Sequence, residues 1–391
     1  MDLELTPEQQ ALREAVRAFA EEVVAPAASG YDEREEFPLE VVRGAAEMGL
    51  FGIPFPERWG GQGGDLLSFC IALEEIARFD SSVAITLEAA VGLAANSLFR
   101  YGTDEQRERW LVPMARGEAI GAFALTEPGG GSDSRAIRTT ARLEGDEWVV
   151  DGSKTFITNS GTPLTSALLV AARDDGAERD DGAEPGDVST IIVPAGTPGM
   201  TVGPGYRKVG WRASDTHEVA FDGCRVPSAN LLGTRGRGYA EFLETLADGR
   251  VAIAALSVGL ARGCLEESVR YAGEREAFGR AIGAFEAIRF KLADIKVGVE
   301  TARLAYQKAA WLRDTGLPYA TEASIAKLYA SEVAVSAARE AVQVHGGYGF
   351  VEDFPVARFY RDSKVLEIGE GTSEIQRLLI ARSLGLPETG T

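Results

Sequence analysis

The sequence predicts an α+β protein built in three packed units: helices first, a compact β unit in the middle, and a helical bundle last. Three observations carry this expectation. At 391 residues the chain exceeds what one hydrophobic core usually organises. Its hydrophobic period switches from helical to strand spacing near Ile120 and back again near Gly238. The order of elements does not alternate strand and helix, and no GxGxxG follows a strand, so a doubly wound dinucleotide fold is not expected.

In chain order, Thr6 and Gln9 can form a capping box around Pro7. Leu12, Val16, Phe19, Ala20, Val23 and Val24 then fall on one helical face until Pro26 stops the run. Further helices are expected over Leu39–Met48, Leu66–Phe79, Ser82–Tyr101 and Asp104–Met114. Strands follow at Glu147–Val150, Lys154–Thr158, Ala167–Ala171, Thr190–Val193 and Glu218–Phe221, separated by turn signals at Gly145-Asp146, Asp151-Gly152 and Asp222-Gly223. The string DDGAE occurs at 174–178 and again at 180–184, which reads as a solvated acidic loop tip. Long helical periods, Phe242–Gly273 and Glu286–Thr315, dominate the remainder, interrupted by Gly346-Gly347-Tyr348-Gly349.

Composition narrows the functional classes. Forty basic against 59 acidic residues leave a net charge of −19, a field that repels phosphate backbones and anionic lipid. Neither nucleic acid nor a membrane surface is an expected partner. Three scattered cysteines form neither a disulfide framework nor a CxxC pair, and two histidines cannot build a multi-histidine metal site. The longest apolar stretch, Val251 to Ala261, is too short to span a bilayer, and no signal peptide is visible. A cytoplasmic, metal-free protein is the expectation.

Gly152-Ser153-Lys154-Thr155 imitates the tail of a phosphate-binding loop, but the earlier glycine is missing and strand residues follow. The run from Ala124 through Gly129-Gly130-Gly131-Ser132 to Asp133 leaves backbone N–H groups uncovered, flanked by hydroxyls and acids, so it can approach an anionic or flat ligand. About thirty residues later comes Lys154-Thr155-Phe156-Ile157-Thr158-Asn159. Gln343, Gly346, Gly347, Gly349, Phe350, Asp353, Arg358 and Asp362 then recur at fixed intervals. Finally Glu370 is bracketed by Gly369 and Gly371, ahead of a helix whose start carries a Ser373–Gln376 capping box. Taken alone, Glu370 reads as an exposed acid favoured by a helix dipole.

Together these four segments resemble the acyl-CoA dehydrogenase family over nearly the whole chain. The resemblance implies a helical domain over 1–119, a β-sandwich or barrel-like domain over 120–233, and a four-helix-bundle domain over 234–391. It also implies FAD-dependent oxidation of an acyl-CoA to its trans-2-enoyl form, with electrons passing to an electron-transferring flavoprotein and a homotetramer built as a dimer of dimers. Glu370 matches the family's usual base; some relatives carry the base at a position aligned with Gly249, where no carboxylate exists here, and Asp248 next door is a weak rival. Thr126 and Thr158 resemble flavin-edge hydroxyls, and Phe156 stands where relatives often have Trp. Phe123, Leu125, Gly131, Ile157, Thr372 and Glu374 complete the expected cofactor set, while Ser132 is expected to serve flavin phosphate and CoA alike. Asp248, Arg250 and Gly371 are the remaining expected substrate contacts. Arg275, Phe278, Gln343, Gly346 and Gly347 resemble elements that reach the FAD of a neighbouring subunit.

Two departures stand out. Glu286 replaces a common Gln and cannot donate its amide hydrogen bond. Gly369 replaces a Tyr found in several straight-chain enzymes, which implies a wider pocket for branched or bulkier short acyl groups, within an expected substrate class of short- to medium-chain, branched or straight acyl-CoAs. Rival readings on the same scaffold are an acyl-CoA oxidase, a nitroalkane-oxidising enzyme, a DNA-associating relative and a non-catalytic FAD-carrying scaffold. Chain length, the glutamate base and the negative charge point away from the first three.

Overall fold

The computed structural model describes residues 4–174 and 188–385. The N-terminal unit contains α1 (Pro7–Phe19), α2 (Ala25–Arg34), α3 (Leu39–Glu47), α4 (Leu66–Ala77), α5 (Ser81–Glu88), α6 (Asn96–Tyr101), α7 (Asp104–Gln106) and α8 (Val112–Ala115). The capping box forms as expected: Thr6 Oγ1 accepts from Gln9 N, and Thr6 N donates to Gln9 Oε1. Pro26, however, does not end the helical run. A π-helical turn, Ala20–Val24, widens the backbone ahead of it, and Pro26 then sits in the first turn of α2, where no N–H is needed.

A second π-turn, Ala89–Ala95, joins α5 to α6. The resulting rod, Ser81–Tyr101, has a mean hydropathy of 1.5 over its most apolar window and is 94% buried there, the mark of a core helix. It is longer than the Val251–Ala261 stretch singled out from sequence.

The chain then enters one eight-stranded sheet, comprising β1 (Ile120–Ala124), β2 (Thr140–Glu144), β3 (Glu147–Thr158), β4 (Thr165–Asp174), β5 (Val188–Pro194), β6 (Met200–Val202), β7 (Thr216–Pro227) and β8 (Leu231–Leu232). The order is β6-β7-β3-β2-β4-β5-β8, with β1 beside β4 in parallel. The strands expected at 147–150 and 154–158 are one strand. Gly152 is a bulge rather than a turn: it adopts φ 143°, and a Cβ there would sit 2.6 Å from Thr139 Oγ1. β4 is buried on both faces: Leu168 and Val170 join Trp148 and Val226 in the β core, while Ala167 and Leu169 face the helices. The second copy of DDGAE, and all but Asp174 of the first, lie outside the described residues.

The C-terminal unit comprises α9 (Gly238–Glu274), the hairpin β9 (Glu276–Ala277) and β10 (Arg280–Ala281), α10 (Glu286–Asp314), α11 (Ala320–His345), α12 (Pro355–Ser363) and α13 (Ser373–Ser383). The hairpin turns on Phe278 and Gly279, both at positive φ as a type I′ turn requires. Motif residues from α12 fasten the units together. The Asp362 carboxylate accepts from Trp211 N (2.7 Å) and Ser81 Oγ (2.8 Å), and Arg358 donates to the Phe79 carbonyl and Ser29 Oγ.

Candidate active site around Glu370

The backbone at Glu370 is unusual. Glu370 adopts φ 53° and Gly371 φ 96°, so the first of these left-handed positions is filled by a residue with a Cβ. Three hydrogen bonds hold this geometry. Gln376 Nε2 donates to the carbonyls of Gly371 (2.9 Å) and Glu370 (3.3 Å), and Lys327 Nζ donates to Gly371 O (2.8 Å). The capping box expected at Ser373–Gln376 is therefore absent. The cap is Thr372, whose hydroxyl accepts from Ile375 N, because Gln376 is drawn back to brace the loop.

The loop turns the Glu370 side chain inward. Both carboxyl oxygens are sealed from water and, among the described residues, have no hydrogen-bond partner. The carboxyl lies against α9 at Gly249, where a Cβ would overlap Glu370 Oε2. The site of the family's alternative base and the carboxyl of Glu370 thus occupy the same space. Burial is the main cause of a raised Glu370 pKa, opposed by Glu88, Lys327 and Arg250. Arg250 is 8% exposed, and its Nε has no partner. Lys327 is wholly buried, and desolvation lowers its pKa to about 8.

Glu88, at the C-terminal end of α5, is the site residue that sequence reasoning missed. It is fully buried, neither of its oxygens has a hydrogen-bond partner, and its carboxyl faces Glu370. A signal was present, since Glu88 is the one charged residue between Ser81 and Phe99. Asp248, by contrast, has its acceptor sites filled. It takes hydrogen bonds from Asn96 Nδ2, Arg100, Arg313 and Tyr319 Oη, which ties α9 to its neighbours rather than presenting a carboxylate to a substrate.

The remaining candidates fall into two sets. The first surrounds β3. Thr126 lies half-buried, its carbonyl accepting from Thr155 N, while Gly131 and Ser132 are exposed beyond it. Leu125 is half-buried, and Phe123 packs on Phe242 with ring centroids 4.1 Å apart. A buried pair fixes this loop to the strand: Lys154 Nζ donates to Glu127 Oε1 (2.7 Å) and to Leu125 O (3.1 Å). Phe156 is left-handed at φ 58° and 65% exposed, next to buried Ile157 and half-buried Thr158. Behind Thr158, Asp215 accepts from Gly161 N, and His217 bridges the Asp215 carboxylate and Gly203 O, each at 2.7 Å.

The second set sits on the C-terminal unit. Phe278 is 95% exposed at the hairpin tip, and Arg275 lies over the Tyr348 ring. Gln343 is exposed where α11 ends, and beyond it Gly346 and Gly347 have open space at their Cβ positions. Glu286 is exposed at the start of α10. Thr372 caps α13, and Glu374 lies exposed in its first turn.

These surfaces fit a large, flat cofactor. Phe156, whose ring packs beside Tyr206, and Phe278 both leave much aromatic surface uncovered, and the glycines beside each set leave room for close approach. A separate cleft of about 1000 Å³ opens among α1, α4, α9 and α10, but none of the candidate residues lines it. Its charges are largely paired with one another, Glu74 with Arg303 and Glu75 with Arg17 and Arg262.

The family profiles for the N-terminal, middle and C-terminal domains of acyl-CoA dehydrogenase match residues 6–118, 122–224 and 236–385. This chain belongs to the acyl-CoA dehydrogenase family. A probable acyl-CoA dehydrogenase of Bacillus subtilis is 46% identical over 98% of this chain and 100% of its own. Among solved structures, butyryl-CoA dehydrogenase from Megasphaera elsdenii superposes with a TM-score of 0.93 at 38% identity, covering 99% of this chain and 100% of that one. A chain from work on the electron transferring flavoprotein of Acidaminococcus fermentans gives 0.94 at 40% identity, covering 98% and 99%. The acyl-CoA dehydrogenase described here is accordingly an oxidoreductase acting on acyl-CoA, in a family whose cofactor is FAD.

Proposed function

We propose that this acyl-CoA dehydrogenase oxidises short-chain acyl-CoA thioesters, branched ones included, with Glu370 removing the α-proton. The observation that carries this is the Glu370 carboxyl itself, sealed from water without a protein partner and held by a backbone that a glutamate adopts only when braced.

The α-proton beside a thioester is weakly acidic, so the base must be close, dry and already aimed. Gln376 and Lys327 aim it by fixing the loop carbonyls. Burial raises its pKa towards the working range of the reaction, while Arg250 and Lys327 keep the ionised form accessible. The FAD that Thr126, Ser132, Phe156 and Thr158 would hold supplies the acceptor for the hydride leaving the β-carbon. The exposed set on the C-terminal unit (Arg275, Phe278, Gln343, Gly346, Gly347) would reach the cofactor of a second copy, so the proposed site is completed across an interface between copies. Electron-transferring flavoprotein is the proposed acceptor, supported by the likeness to the Acidaminococcus-derived chain. A Cβ at Gly369 would meet nothing closer than Val365 O at 3.6 Å, so a side chain can start from this position without a clash.

Anaerobic titration of the yellow protein with short straight and branched acyl-CoAs tests the reading. Flavin bleaching is expected with butyryl-CoA and with its branched counterparts. In Glu370→Gln the rate should fall by at least about 10²- to 10⁴-fold with FAD still bound. A variant that bleaches at the normal rate, or a native protein indifferent to every thioester, would overturn the assignment.

A further inference from the structure

Glu88 has no role in the reading above, yet it shares the driest part of the site. Its carboxyl folds back over its own helix: a Cβ at Gly92 would sit 2.8 Å from Glu88 Oε1. The next residue, Leu93, reaches Gly249, where a Cβ would lie 2.9 Å from Leu93 Cδ2 and overlap Glu370 Oε2. Each carboxyl is thus seated where a glycine omits a side chain, Glu88 at Gly92 in the π-turn Ala89–Ala95 and Glu370 at Gly249 on α9, with Leu93 of that turn reaching the same spot as Glu370. Local π-geometry of this kind recurs at functional sites.

Among the described residues none of the four oxygens has a hydrogen-bond donor. Glu370 feels Lys327 from α11 and Arg250 from α9 at longer range, whereas among the described residues the ionisable group that acts on Glu88 is Glu370. Two neighbouring carboxylates cannot both ionise away from water, because each would carry its own desolvation cost as well as the repulsion.

We propose that Glu88 and Glu370 form a carboxyl pair sharing one proton, with Glu88 as the positioning residue that holds the proton and keeps Glu370 ionised as the base. Burial and the Glu370 charge both push Glu88 well up, in the direction this requires. The carboxyls lack an aligned hydrogen bond here, and catalytic contacts of this kind commonly tighten only when substrate closes the site. The proton count balances. The α-proton moves to Glu370 and the β-hydride leaves to the family's FAD, so the pair passes from one proton to two. It then returns one to solvent before the next turnover.

The proposal rests on Glu370 as base, so its test has two arms that fail separately. The first needs no substrate. Infrared difference spectra of FAD-loaded protein at neutral pH should show a protonated-carboxyl C=O band that vanishes in both Glu88→Gln and Glu88→Leu. A native protein without that band overturns the pair whatever its activity. The second arm follows flavin bleaching by butyryl-CoA against pH. Removing the donor in Glu88→Leu should raise the acid limb of kcat/KM by about one pH unit, about tenfold in rate on that limb. Glu88→Gln, which still donates, should restore the limb to within about twofold of native. Equal slowing of both variants at every pH would mark Glu88 as packing alone and overturn the proposal. A native enzyme that bleaches with no thioester would overturn the Glu370 assignment, and the infrared band would still decide the pair.

Discussion

Glu370 and Gly249 are two halves of one steric fact. The carboxyl fills the volume that a side chain on α9 would need, so Gly249→Ala should displace the base. We expect kcat to fall at least about tenfold with FAD content little changed, read by bleaching rate and absorbance. Gly369 makes the opposite prediction, because its Cβ direction is open. Gly369→Tyr should narrow the acyl space and lower kcat/KM for a branched acyl-CoA by about tenfold more than for butyryl-CoA, within the 1–3 kcal/mol that pocket shape typically supplies. Equal losses for both substrates would mean that this position does not set the width of the pocket. The glycines around this acid are legible in sequence, the two that bracket it and Gly249 on α9, but their reasons differ. Gly371 serves a left-handed backbone, Gly249 yields space to a distant carboxyl, and Gly369 simply leaves space open.

At the scale of elements, the loop carrying Thr126 and the strand carrying Phe156 and Thr158 are locked by buried polar pairs. Lys154 is wholly buried against Glu127, whose carboxylate also accepts from Arg138 N and Thr139 N. Desolvation lowers the Lys154 pKa to about 8, yet the pair survives because every oxygen is used. Lys154→Met should cost about 3–5 kcal/mol in urea unfolding by stranding Glu127, and adding Glu127→Gln should recover a large part of it. His217 offers a pH-dependent counterpart. Both ring nitrogens face acceptors, Asp215 and Gly203 O, and the Asp215 hydrogen bond is the main cause of its raised pKa. A histidine raised on folding contributes fully below its unfolded value of about 6.5, and the contribution is lost as pH climbs through the folded value. The Tm gap between native protein and His217→Ala should therefore be widest in mild acid and shrink as pH rises. A gap that grows with pH would contradict the clamp.

For the molecule as a whole, Asp362 joins three units at one carboxylate: Ser81 from the first, Trp211 from the β unit, and α12 itself. Asp362→Ala leaves the Trp211 N–H and the Ser81 hydroxyl short of an acceptor, at about 1–3 kcal/mol for each unsatisfied group. The expected outcome is a clear fall in Tm with the Glu370 bleaching chemistry still present, since no Asp362 atom touches that site. Arg358 works the same seam by donating to Phe79 O and Ser29. The motif spacing that singled out Arg358 and Asp362 in the sequence is thus occupied by fasteners rather than by chemistry.

By itself the sequence determined what depends on neighbours in the chain. The helical and strand periods, the Thr6 cap, the glycine-bracketed acid and the order of the three units are all set by residues within a few positions of one another, where period and local hydrogen bonding act. Local signals misled where the backbone had another local solution or where a group further along the chain competes for the same atoms. Pro26 is absorbed by a π-turn, Gly152 bulges against Thr139, and the α13 cap slips to Thr372 because Gln376 is needed at the Glu370 loop. Only the tertiary structure could decide that Glu88 meets Glu370, that Lys327 braces Gly371, or that Asp248 is already fully engaged. Each of these joins segments far apart in sequence, and what a buried charge does depends on which partners the packing brings to it.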